Sequence, residues 1–212
     1  MIVRHARTLL EQEMPIQIRS QLVPVIKRAY SLVEQLYQQQ ELLNWEVGYD
    51  LLRDLRRVAV DFELKRLIDT GKFPLAYRIA PNARKNCSHL ELITNQCVIT
   101  ISQVVSEYAI PRFAIFRNNL SLNQLSFDFD NANSYTRDAP YYMLLTHGYK
   151  GSVPDFIGLG VPQPMIKGWL AYINLLNEPH LVDLTQEDIV TEEIQLSFKE
   201  HVTSQGVLKI GS

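Results

Sequence analysis

One short segment of the sequence places three side chains with acid–base chemistry between glycines: His147, Tyr149 and Lys150 in the run His-Gly-Tyr-Lys-Gly. Glycine lets a backbone approach a ligand closely, and these side chains could donate protons or contact an anion. The next glycine pair, Gly158 and Gly160, does not extend to a dinucleotide-binding or phosphate-loop motif. His147, Tyr149 and Lys150 are therefore the candidate catalytic residues, with a tight turn and a bulged strand as the favoured structural explanation of the glycines.

A candidate metal site combines Cys87, His89 and Glu91, with Cys97 following a few residues later. Alternate residues of a strand share a face, so the first three side chains would point to one side. Thiolate, imidazole and carboxylate groups are all zinc ligands. The spacing matches no familiar zinc motif, and a lone buried cysteine usually behaves as a small apolar residue, so a structural role is favoured over metal binding.

Several basic and aromatic residues lie close together in the central part of the chain, between residues 77 and 117. The basic set is Arg78, Arg84, Lys85, Arg112 and Arg117, and the aromatic residues are Tyr77, Phe113 and Phe116. Residues 71–117 carry six Lys or Arg against two Asp or Glu, a surplus of four positive charges, whereas residues 183–212 carry two against six. Guanidinium groups bind phosphates and aromatic rings stack on bases, so Arg78, Arg112 and Arg117 are the predicted ligand-binding residues. Mutual attraction of the two segments is the simpler explanation of the charge distribution.

The segment Asp61-Phe-Glu63-Leu-Lys65 has the Glu-x-Lys spacing of metal-dependent nucleases. It lies inside a helical pattern rather than on a strand, so an ordinary ion pair between Asp61 and Lys65 is the favoured interpretation. The sequence has neither a serine nucleophile elbow nor a His-Glu-x-x-His motif.

Helical periodicity dominates the first 71 residues. It predicts a short helix over residues 1–13, a second that begins at 21–23 with Pro24 in its first turn or as a kink, and a third over residues 49–69 capped by Gly71. The second and third helices are expected to form an antiparallel hairpin joined around residues 44–48. A wide apolar stripe on this hairpin would cover a sheet or serve for self-association through residues 22–62.

Beyond Gly71 the apolar period changes from about 3.6 to 2, which is typical of strands. Strands are predicted over residues 74–80, 89–93, 97–104, 112–117, 125–129, 141–147 and 155–161. A helix is predicted over residues 166–176 because Trp169, Tyr172, Ile173 and Leu176 have helical spacing. These elements predict a single α+β domain over residues 1–212, with a helical part (1–71), a mostly antiparallel sheet (72–161) and a C-terminal helix and tail (162–212).

Composition restricts the class of protein. Hydrophobic residues at 46% and charged residues at 21% are ordinary for a folded chain and argue against global disorder. Two cysteines are too few for a disulfide framework, and the N-terminus lacks the apolar core of a signal peptide, so we expect a cytoplasmic protein. No apolar run reaches the length of a membrane span, and we expect no membrane association.

These observations favour a cytosolic binding or interaction module without a catalytic motif, acting on a protein partner or on itself. The alternative is a nucleic-acid- or nucleotide-acting protein, for example a metal-dependent nuclease, that uses the basic centre of the sheet. In that alternative Arg78, Arg112, Arg117 and Lys150 contact phosphate and His147 is the acid or base. The sequence points to no particular cofactor and does not decide whether the protein is an enzyme.

Overall fold

The computed structural model describes residues 2–122, 140–148 and 150–181, with only the backbone for residues 2–4. The chain divides into two compact units, Met1–Leu181 and Val182–Ser212, of which the second lies outside the described residues. The strand predicted over 125–129 and the tail beyond residue 181 also fall outside them. The prediction that all 212 residues form one domain therefore stays a prediction.

Three helices open the chain: α1 (Ile2–Glu13), α2 (Ile16–Gln39) and α3 (Glu46–Asp69). Helix α2 begins one and a half turns before the expected start, because Pro15 takes the N-cap position and Pro24 lies inside the helix. Helix α3 ends as predicted, since Gly71 has a φ of 71° and its N–H donates to the Ile68 carbonyl at 2.8 Å. The predicted hairpin of α2 and α3 is confirmed.

A tight turn joins these two helices. At Gly48, a Cβ would lie 2.2 Å from the Leu43 carbonyl oxygen, so only glycine permits this close approach.

Among the described residues, six strands form one mostly antiparallel sheet in the order β1-β2-β3-β4-β5-β6. Their bounds are β1 (Ala76–Pro81), β2 (Ser88–Ile93), β3 (Cys97–Gln103), β4 (Tyr141–His147), β5 (Ile157–Pro162) and β6 (Trp169–Asn174). All neighbours are antiparallel except β3 and β4, which run parallel. Helices followed by this sheet confirm the predicted α+β class. The sheet extends to residue 174, beyond its predicted end at 161.

Two predicted elements are wrong. Residues 112–117 do not form a strand, because α4 (Ile115–Leu122) begins within them. A short apolar run does not distinguish a strand from a buried helical turn. Residues 166–176 form β6 rather than a helix: Ala171 and Ile173 are buried on one face, and Tyr172 between them points to the other. The apolar residues of β6 also have helical spacing, but pairing with the neighbouring strand β5 decides its structure.

The two faces of the sheet have different coverings. Leu90, Ile99 and Leu159 lie on the inner face, which α1, α2 and α3 cover, and these side chains are at most 2% exposed. The opposite face, here called the outer face, carries Arg78, Glu91 and other polar residues, and α4 packs on it. Within the described residues, no helix combines the length and the apolar character that crossing a membrane requires.

Candidate functional site

A polar cluster occupies the middle of the outer face. Strand pairing aligns Arg78 with Glu91 and Glu91 with Thr100, and the Thr100 hydroxyl is hydrogen-bonded to the Tyr142 hydroxyl at 2.7 Å. Ser102 follows on the same face of β3. Alternation along β3 predicts that Thr100 and Ser102 share a face, but Tyr142 joins them only because β3 and β4 are parallel neighbours.

Helix α4 brings Arg117 to this cluster. Its Nη1 donates to the Ser102 Oγ at 3.3 Å, and its Nη2 donates to the Arg112 carbonyl at 2.5 Å. Next to it on α4, Phe116 stacks on the His89 ring with centroids 3.9 Å apart. Two of the three predicted ligand-binding arginines, Arg78 and Arg117, therefore lie at one site. Arg112 contributes only its backbone carbonyl to this contact, because its side chain is exposed.

The proposed zinc ligands are only partly brought together. His89 Nε2 lies 3.1 Å from a Glu91 oxygen, and the other Glu91 oxygen accepts from Arg78 at 2.5 Å. Cys87 is exposed, and its thiol donates to the Ser88 carbonyl at 3.4 Å, whereas Cys97 is buried. Across the described ranges, no three His, Cys, Asp or Glu side chains are grouped so that they could hold a metal ion.

His147, the predicted acid or base, lies on the inner face, buried beneath α2. The Tyr30 hydroxyl donates to the Gly148 carbonyl, so His147 Nδ1–H donates to the Tyr30 oxygen at 2.6 Å. In this tautomer Nε2 carries the lone pair, and it is buried without a hydrogen-bond partner among the described residues. Burial lowers the pKa of His147 to about 4, so the imidazole is neutral at pH 7.

The remaining predicted catalytic residues do not join His147 in a described site. Lys150 is exposed, and Tyr149 lies outside the described residues. Since His147 faces α2 and Arg117 lies on the outer face, the sheet separates the candidate acid or base from the arginines. The convergence required for a nucleic-acid-acting site centred on His147 is thus not present.

The nuclease-like segment lies on helix α3, as its periodicity predicts. Lys65 pairs with Asp69 at 2.5 Å rather than with Asp61, so the predicted ion pair is wrong. Glu63 is fully buried and accepts from Arg28 at 2.6 Å and lies 3.2 Å from Arg66. Glu63 and Lys65 thus form structural ion pairs with different partners rather than a shared cation site.

The glycine pair of β5 also has a structural role. A Cβ at Gly158 would lie 2.1 Å from the Tyr172 hydroxyl oxygen, and one at Gly160 would lie 2.6 Å from an atom of the Trp169 ring. Both aromatic side chains cross β5 where glycine leaves room, and a register irregularity follows at Val161 and Pro162, consistent with the bulge that the sequence indicates.

A second candidate site is an exposed apolar surface on the hairpin, here called the α3 surface. It consists of Leu42, Trp45, Val47, Leu51 and Val58, whose exposed fractions range from 47% to 78%. Val47, Leu51 and Val58 are four and seven residues apart, so they follow one line along the helix over three turns. The sequence missed Leu42 and Trp45, which lie in the turn before α3 and have no helical period.

No family model matches this chain, and no curated protein or solved structure matches it either.

Proposed function

We propose that this protein is an interaction module that self-associates through the α3 surface. The observation that carries the proposal is the row of exposed Val47, Leu51 and Val58 on the solvent side of a helix whose opposite side is already buried against the core. Single exposed apolar residues are normal, whereas a contiguous apolar row marks an interaction site. The row lies within residues 22–62, the segment that the helical stripe favours for self-association.

Charge distribution favours a second copy of the same chain as the partner. Glu46 and Asp50 are exposed at the start of α3, and Arg53 and Arg57 lie further along on the same flank of the apolar row, with Asp54 between them. In a two-fold dimer with antiparallel α3 helices, Glu46 and Asp50 of one helix lie against Arg53 and Arg57 of the other. The apolar row supplies the buried area, and the charges fix the orientation.

The test is the oligomeric state of the full chain and of two matched variants. Val58→Glu places a charge in the apolar row of both copies and should weaken dimerisation about 100-fold, since two apolar contacts are lost. Val105→Glu is the control, because Val105 is similarly exposed, at 54% against 47%, but lies in the turn after β3. Sedimentation equilibrium gives both dissociation constants. If both variants weaken the dimer equally, or if neither weakens it, the α3 surface is not the dimer interface.

A further inference from the structure

Among the described residues, the half-buried cation Arg117 donates hydrogen bonds only to neutral groups. Its two contacts are the Ser102 hydroxyl and the Arg112 carbonyl, and its Nε is buried with no hydrogen-bond partner among the described residues. A guanidinium has five N–H donors, of which the hydrogen bonds to described residues use two. Burial also lowers the pKa of Arg117.

The carboxylate in the cluster is paired with a different arginine. One Glu91 oxygen accepts from Arg78 and the other contacts His89, so its charge is balanced by Arg78. Burial lowers the pKa of His89 and outweighs the opposing effect of Glu91, and its ring is neutral at pH 7. The cluster thus has a net charge of one positive unit, which resides on Arg117.

The hydroxyl groups around Arg117 are neutral donors or acceptors. Burial raises the pKa of Tyr142, so its hydroxyl stays protonated and shares a hydrogen bond with Thr100. Ser102 is buried, and its hydroxyl can rotate to donate to an anion while it still accepts from Arg117. A guanidinium fork beside a serine hydroxyl is suited to two oxygens in one plane.

We propose that Arg117 and Ser102 form a binding site for a small-molecule carboxylate between the outer face of the sheet and α4. The carboxylate oxygens accept from Nε–H and Nη–H of Arg117, and Ser102 donates to one of them. A carboxylate carries the single negative charge that neutralises the cluster. At pH 8 inorganic phosphate is mainly a dianion, which would leave an excess negative charge in this partly buried site. This site is independent of the α3 surface and of self-association.

The experiment follows thermal unfolding of the full chain at pH 8 and constant ionic strength in acetate, benzoate, inorganic phosphate and chloride. Acetate and benzoate should raise the midpoint in a saturable way, by about 3 °C at ten times the dissociation constant, because they bind the folded state alone. Phosphate and chloride should have no saturable effect. An equal rise with all four anions, a rise with phosphate but not with the carboxylates, or no rise at all would overturn the proposal.

Variants locate the effect at Arg117. Arg117→Gln should abolish the response to benzoate, whereas Arg112→Gln should retain it, because Arg112 loses the same charge but contributes only its carbonyl. If Arg117→Gln does not fold, Arg117→Lys decides the matter: it keeps the charge without the fork and should weaken benzoate binding about tenfold. Affinity unchanged in Arg117→Lys, or lost equally in Arg112→Gln, would refute the assignment.

Discussion

His147 is neutral because its burial outweighs its contacts with Tyr30 and Gly148, and this makes the fold sensitive to acid. Its folded pKa of about 4 lies below the ordinary histidine value of 6.5. The unfolded chain therefore binds the proton first, so the free energy of unfolding is unaffected above pH 6.5 and decreases as the pH falls toward 4, by about 3 kcal/mol at pH 4. Urea denaturation of the native chain and of His147→Gln at pH 7 and pH 4 should show that the variant does not lose this part of the unfolding free energy at pH 4. An identical pH dependence in both proteins would mean that His147 is accessible to protons in the folded state.

The pKa of Asp61 is shifted in the opposite direction, so its effect on stability depends on pH in the opposite sense. Burial raises its pKa to about 7, although Arg57 and the Leu90 backbone partly offset the effect. The unfolded chain loses this proton first, so the stability due to Asp61 is full below pH 3.8 and decreases as the pH rises to 7. Asp61→Asn should therefore be more stable than the native chain at pH 8, on the order of 3 kcal/mol, and nearly equal to it at pH 4. Denaturation at both values checks this, with the exposed Asp54→Asn as a control that should change little at either pH. A variant less stable than the native chain at pH 8 would contradict the raised pKa.

An ion pair between Arg19 of α2 and Glu178 fixes the segment that follows β6. Arg19 is buried, its Nε and Nη2 donate to both Glu178 oxygens at 2.7 and 2.6 Å, and its Nη1 donates to the Met14 carbonyl at 2.7 Å. Glu178→Gln should cost about 3 kcal/mol, because it leaves a buried cation without its counter-ion. Glu11→Gln should cost less than about 1 kcal/mol, since Glu11 pairs with Arg7 at the surface. Urea denaturation of the two variants compares the pairs, and equal costs would show that burial does not govern their strength.

Individual elements differ in how far the sequence determines them. Helices α1 to α3 and strands β1 to β5 can be predicted, because their apolar periodicity extends over enough residues or recognisable turn residues flank them. Strand β6 and helix α4 were missed because their apolar residues fit both periods, and packing against β5 and the outer face decides between them. Similarly, alternation predicts that His89 and Glu91 share a face. It does not predict that Tyr142 lies beside Thr100, which depends on the parallel pairing of strands about 40 residues apart.

At the scale of the whole molecule, two independent features of α3 favour self-association: its apolar row and the order of the charged residues along one flank. The row favours a partner, and the succession of Asp50 and Arg57 along one flank favours an antiparallel orientation of the partner's helix. In the basic centre of the sheet, Arg78 is paired with Glu91. Self-association is therefore the central claim, and the orientation of its two helices is its most specific consequence.

Two variants with reversed charges, at Asp50 and at Arg57, test that orientation directly. Asp50→Arg and Arg57→Asp each place like charges opposite one another twice in a symmetric dimer, and each should weaken self-association about tenfold. Mixing the two variants should restore a dimer at the native affinity, because each contact is then opposite in charge, and sedimentation equilibrium of the separate and mixed proteins measures this. A native chain that is monomeric at every concentration up to about 200 μM, where even weak biological interfaces form dimers, or a mixture that associates no better than its components, would contradict the account.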